Sequence, residues 1–145
     1  HERIPFFQDQ PYIDYKRHKV SDYAKVFLAQ PQACGWSLDF NPNFFVELAY
    51  EGFNPISMQI PSDNDLMIQI LTPWFGTKRY VLDCLESHIS TKVRKRAKHY
   101  TLTLDRDFEG VLLGCVRQHG EAWLYRGVRW VLRSLRENGY TGSKD

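Results

Sequence analysis

Two apolar periodicities, running one after the other near the end of this 145-residue chain, constrain its fold more than any other feature. Phe108, Val111, Leu112 and Cys115 recur at the i, i+3, i+4 and i+7 spacing of a helix, with Asp105 or Asp107 placed to cap it. A longer pattern follows from about 123 to 138. It carries Leu124, Val128, Val131, Leu132 and Leu135 on one side and ends at Asn138-Gly139, a usual stop signal. Upstream, RYVLDCL (79–85) and YTLTLD (100–105) read as strands, the second because Tyr100, Leu102 and Leu104 alternate with polar residues. Between them STKVRKRAKH reads as a short helix capped by Ser90, with only Val93 and Ala97 pointing inward. Strand, helix, strand, helix, helix is the order of an α/β or α+β unit.

The first half is less regular. Asn41-Pro42 is a helix-start pair, Phe44, Phe45 and Leu48 fall on one face, and Gly52 marks the stop, so a helix is expected over 42–51. Residues 53–76, with three prolines, the acidic turn SDND and the run LMIQIL, have the composition of brief strands joined by turns. Residues 1–33 are aromatic and polar without a clear period and read as an N-terminal arm, in which Ser21 is placed to cap a short helix through Ala29. The expected organisation is an arm (1–33), a small N-terminal domain (34–77) and a further unit over 78–145.

Charge is the second informative feature. The chain carries 19 basic and 17 acidic residues, for a formal net charge of +2. Five of the basic residues, Lys92, Arg94, Lys95, Arg96 and Lys98, fall within 92–98; without them 14 cations remain against 17 anions. A second basic surface lies on the long C-terminal helix, where Arg126, Arg129, Arg133 and Arg136 form a stripe away from the leucines and valines. A solvated face is the plain explanation of either group alone. Five adjacent cations repel one another, however, and two basic surfaces in one small chain point to a polyanion such as RNA. Trp123 and Tyr125 precede the arginine helix, and an aromatic beside cations has the form of a base-stacking site; core packing is the competing explanation for Trp123.

Other chemistry finds little support. Cys34, Cys84 and Cys115 are odd in number and far apart, so neither a disulfide framework nor a zinc site is expected, and a reducing, intracellular compartment follows. No stretch reaches the roughly 18 apolar residues of a spanning helix, and no secretory pattern opens the chain. There is no Gly-rich phosphate loop, no G-x-S-x-G and no H-E-x-x-H. Asp105, Asp107 and Glu109 form a carboxylate group better explained by helix capping than by catalysis.

The order of several motifs is more specific than any one of them. Ser87-His88-Ile89-Ser90, the basic run 92–98, Gly114-Cys115, Ala122-Trp123, Arg126-Gly127-Val128 and a long helix ending at glycine resemble the middle of the leucyl/phenylalanyl-tRNA-protein transferase family. Further upstream Asp39, Pro42, Leu48, Ala49, Tyr50, Gly52 and Pro55 are similar to that family's N-terminal signature, so the likeness covers about 34–140. Ile56 stands where the family carries an aromatic after the proline, at a position concerned with stacking on the terminal adenine. The resemblance implies a small N-terminal α/β domain followed by the first part of an acetyltransferase-like (GNAT) domain, in an α+β chain. It implies transfer of Leu, Phe or Met from a charged tRNA to a protein whose N-terminus is Lys or Arg, marking that protein for degradation in the cytoplasm. Lys92, Arg94, Lys95, Arg96 and Lys98 would hold the acceptor stem, aided by Arg126, Arg129 and Arg133, and Trp123 would line the pocket for the aminoacyl-adenosine end. The implied protein is a monomer that needs no cofactor or metal. The family's later segments have no counterpart here, so most of its central sheet and its acceptor site are expected to be missing and no catalytic residue is assigned.

Overall fold

The computed structural model describes residues 9–29, 34–62, 66–76, 78, 81–85, 87–104 and 106–140. They form a mixed α+β structure: helices α1 (Val20–Ala29) and α2 (Pro42–Tyr50), strands β1 (Phe53–Pro61) and β2 (Met67–Phe75), then helices α3 (Thr91–Ala97), α4 (Phe108–His119) and α5 (Arg126–Asn138).

The strands make an antiparallel hairpin with Phe53 opposite Phe75 and Pro61 opposite Met67, longer and more regular than three prolines led us to expect. The far side of β2 is also engaged. Ser37 and Leu71 exchange backbone hydrogen bonds of 2.8 and 2.9 Å, and Gly35 N–H donates to the Pro73 carbonyl at 3.0 Å. Trp36 in turn bridges to residues 11–13, its carbonyl accepting from Ile13 N–H at 2.8 Å. Because Leu71 spends its N–H and C=O on Ser37, alternate residues of β2 point their backbone groups the same way, and Pro55, opposite Pro73, points its nitrogen outward. Each proline therefore costs the β1–β2 ladder nothing, since its missing N–H faces away from the other strand.

Alternation along the hairpin divides the core in two. One face carries Phe53 and Leu71 and is covered by helices, where Val20, Ala24 and Phe27 of α1, Phe44 and Leu48 of α2, Leu112 of α4, Leu124 in the turn before α5 and Val128 of α5 close a single cluster. Phe27, Phe53 and Phe75 meet edge to face or tilted at centroid separations of 4.8 to 5.9 Å. The opposite face buries Ile60 and Ile70 beneath Trp36, with Tyr12 set against the indole at 4.6 Å. Ile13, Leu48, Leu71 and Leu124, from all three expected segments of the chain, thus share one interior.

The helix boundaries follow local chemistry. Asn41 caps α2 through its side-chain oxygen, accepting from the N–H groups of Asn43 (2.8 Å) and Phe44 (3.3 Å), and Pro42 occupies the first turn as expected. Gly52, at φ 92°, then turns the chain into β1. Asp107 caps α4, accepting from Gly110 N–H at 3.0 Å, while the alternative cap Asp105 lies outside the described residues.

Several expectations need correction. Ser21 lies inside α1, not before it. The buried stripe of α4 runs through Phe108, Leu112, Cys115 and Val116, and Val111 faces outward. The C-terminal helix begins at Arg126, leaving Trp123 in the preceding turn. The largest departure is the pair of strands: among the described residues, 81–85 and 100–104 form none, and Val81, Leu85 and Leu102 are 91%, 97% and 88% exposed. Arg79 and Tyr80 of the first lie outside the described residues. Alternation alone does not make a strand, because its N–H and C=O groups require a neighbouring ladder, and none is offered among the described residues.

This division between a packed hairpin–helix core and the largely exposed residues 81–85 and 87–104 is directly measurable. Phe44→Ala should cost about 3–5 kcal/mol in urea unfolding, whereas Leu102→Ala should change stability by less than about 0.5 kcal/mol.

Candidate nucleic-acid interface

The turn before α5 is held from below by the hairpin. Leu124 is buried and its N–H donates to the Glu121 carbonyl at 2.9 Å, closing the turn, while the buried Ser57 hydroxyl donates to the Trp123 carbonyl at 3.3 Å. Tyr125 provides no side-chain cap for α5; the cap comes from β2, where the Gln69 side-chain oxygen accepts from Gly127 N–H at 2.9 Å. Gly127 lies against the ring of Phe40, and a Cβ built there would sit 2.7 Å from a ring carbon, so only glycine allows this approach. These contacts leave the Trp123 side chain 39% exposed and the Arg126 guanidinium in solvent, on a turn whose backbone is fixed.

The rest of the arginine stripe is spoken for. Arg133 donates from Nε and Nη2 to the two carboxylate oxygens of Glu109 on α4, both at 2.8 Å. Arg129 Nη1 meets Glu121 Oε1 at 3.2 Å, and Arg136 lies over the Phe108 ring at 5.1 Å. The paired hydrogen bonds from Arg133 hold the Glu109 carboxyl below the usual carboxylate range, and the carboxylate in turn raises the arginine. Arg129 and Arg133, expected as phosphate contacts, are thus engaged in tying α5 to α4 and to its own entry turn. The sequence shows the stripe but not its partners, because Glu109 is 24 residues away along the chain.

Helix α3 behaves in the opposite way. Ser90 caps it, its hydroxyl oxygen accepting from Val93 N–H at 3.4 Å, but no residue of the helix is buried. Val93, expected to face inward, is 55% exposed. None of Lys92, Arg94, Lys95, Arg96 and Lys98 forms an ion pair with a described residue, so no described carboxylate relieves their mutual repulsion. Uncompensated charge on a helix without a packed face is a poor stabilising device and a good anion surface.

One exposed aromatic escaped the sequence reading. Trp130 lies one turn beyond Arg126 on the solvent side of α5 and is 55% exposed; its place among arginines on the wheel was the available signal. The supports Ser57 and Gln69 could not be foreseen, since each reaches its partner across 58 or more residues. Among the described residues no group of three or more His, Cys, Asp or Glu is placed to hold a metal, and no helix is long and apolar enough to cross a membrane. Burial raises the Cys34 thiol above its ordinary value, which keeps it protonated and unreactive.

No protein-family model, curated protein or solved structure matches the chain.

Two outcomes test this geometry. Gln69→Leu removes the only side-chain cap seen on α5 and should cost about 0.5–2 kcal/mol in urea unfolding. Glu109→Gln should lower the melting temperature at neutral pH. Because the folded carboxyl is depressed, that stabilisation is present above the unfolded pKa and lost as pH falls through the folded one, so the difference from wild type should vanish in strong acid.

Proposed function

We propose that the chain binds the acceptor end of an aminoacyl-tRNA and is the front part of a transferase of the leucyl/phenylalanyl-tRNA-protein type. The single observation that carries this reading is the α3 cluster, four cations on a helix that buries nothing and a fifth, Lys98, at its C-cap, none paired with a described carboxylate. Lys92, Arg94, Lys95, Arg96 and Lys98 meet phosphates of the acceptor stem, and Arg126 adds a sixth cation from the start of α5. Trp123, half-exposed on a turn fixed by Ser57 and Leu124, offers its ring to the aminoacyl-adenosine end. Arg129 and Arg133 support this surface indirectly, through the carboxylates they hold. In this reading residues 78–145 begin an acetyltransferase-like (GNAT) domain, and the exposed alternation of Tyr100, Leu102 and Leu104 is that of a strand awaiting neighbours.

The reaction is one a rigid surface can promote. An aminoacyl ester is already activated: the α-amine of the acceptor protein attacks the carbonyl carbon, an amide bond forms, the ester C–O bond breaks, and the ribose hydroxyl of the tRNA leaves with a proton from the amine. Holding ester and amine in register while excluding water supplies much of the acceleration, and no cofactor is required. Leu, Phe or Met would pass to a protein beginning with Lys or Arg, in the cytoplasm where charged tRNA and new proteins meet. The alternative is a tRNA-binding module without transfer activity, for which the same binding surface suffices.

The test has two arms. Labelled leucyl-tRNA binding, followed from about 50 to 200 mM salt, should weaken steeply. The Lys92→Ala, Arg94→Ala, Lys95→Ala, Arg96→Ala combination should reduce the logarithmic salt slope by about 3–4. Unchanged binding in this variant removes α3 from the interface. Trp123→Ala should weaken charged tRNA more than uncharged. Transfer of labelled leucine to a peptide beginning with Arg supports the enzyme; binding without transfer supports the module.

A further inference from the structure

A second cationic surface lies at the other end of the chain, in the turn that enters α1. Tyr15, Lys16, Arg17, His18, Lys19 and, from α2, Glu47 line a shallow depression of about 320 Å³. Four of these residues are adjacent and basic, within the segment expected to be an arm. Their backbone is fixed. The Asp14 carboxylate accepts from Lys16 N–H at 3.0 Å, and its carbonyl accepts from the N–H groups of Arg17 and His18, both at 3.2 Å. The Tyr23 hydroxyl accepts from Asp14 N–H at 3.2 Å, donates to the Tyr12 carbonyl at 3.3 Å and meets His18 Nδ1 at 3.2 Å. Ile13, fully buried beside Trp36, anchors the turn from behind.

The floor is equally fixed, since Tyr15 stacks on Phe44 at 5.0 Å and donates its hydroxyl to Glu47 at 2.9 Å. Burial, and then the bond to Glu47, push the Tyr15 hydroxyl up to about 12, so it remains a neutral donor and adds no negative charge. Among the described residues Glu47 is the only carboxylate in the lining, and its described partner is the neutral Tyr15 hydroxyl; Asp14 holds Arg17 at 3.2 Å. Lys16 and Lys19 have no ion pair with a described residue. Lys16, Arg17 and Lys19 thus outnumber the carboxylates of Glu47 and Asp14, and two of the three cations have no ion pair with a described residue, an excess of positive donors on a fixed turn that suits a phosphate group.

We propose that the turn at 15–19 is a second phosphate-binding surface, taking phosphodiester groups of an RNA strand. The choice of RNA rests on the function proposed above; the phosphate chemistry does not. A strand held at α3 and also at this turn gains affinity from linking two weak sites, and its salt dependence counts both sets of cations.

The Lys16→Ala, Lys19→Ala double variant is suited to the test because both side chains are exposed and outside the core, and an unchanged melting temperature confirms its fold. Leucyl-tRNA binding to this variant should show a salt slope lower by about 1–2 and an affinity about three- to tenfold weaker near 100 mM salt. Inorganic pyrophosphate titrated into the wild-type protein should shift the amide NMR signals of 15–19 and leave those of the variant in place. If the slope is unchanged here but falls in the α3 variant, the second surface is overturned and the proposed function stands. A slope that falls here but not in the α3 variant has the reverse meaning. Pyrophosphate shifts without any change in tRNA binding would make the turn a site for free anions and overturn the RNA assignment; no shifts at all would overturn the phosphate site itself.

Discussion

The close seating of the first turn of α5 on the hairpin is the constraint from which the rest of the arrangement follows. A glycine at 127 lets the helix come within contact of Phe40, and Gln69 meets the N–H that this approach would otherwise orphan. Once that turn is fixed, Leu124 and Val128 enter the interior between α2 and β2, and the Trp123 carbonyl falls beside Ser57. The indole is left at the rim because its main chain is held at the floor. A looser helix start would bury Trp123 or release it, and either would remove the aromatic from the surface beside Arg126.

The two basic helices have opposite electrostatics. Helix α5 returns most of its positive charge to the protein: Glu109 and Glu121 neutralise two guanidinium groups and Phe108 receives a third. Helix α3 returns none to the described residues. The difference is one of context, because α5 packs its apolar stripe into the core and its arginines lie within reach of neighbours, whereas α3 has no apolar stripe and no buried residue. Cations that hold a fold together are poorly placed to greet a ligand. A density of positive charge therefore locates an interface only after internal partners have been subtracted, and subtraction moves the weight from α5 to α3 and to the turn at 15–19.

What the chain discloses before folding is uneven for the same reason. Capping is local, so Asn41, Ser90 and Asp107 announce α2, α3 and α4 correctly, and Gly139 ends α5 at φ 69°. Burial is not local. Val111 and Val93 have the right spacing for inward positions and face solvent, because no surface among the described residues covers them. Tyr100, Leu102 and Leu104 alternate as a strand should, yet a strand is a property of a pair. The site shows the same split. Trp123 and the α3 cations are visible as residue types in a run, while Ser57, Gln69 and the carboxylates that claim Arg129 and Arg133 act across gaps no periodicity spans.

Pro55 has a consequence beyond the hairpin. Strand β1 has no described partner on its outer side, and an open row of backbone donors is a template on which other chains can polymerise. With its nitrogen turned outward, Pro55 removes one donor from the middle of that row, and Pro61 takes away a second at its end. The outer border of the sheet is thereby blunted as a template for the addition of foreign strands.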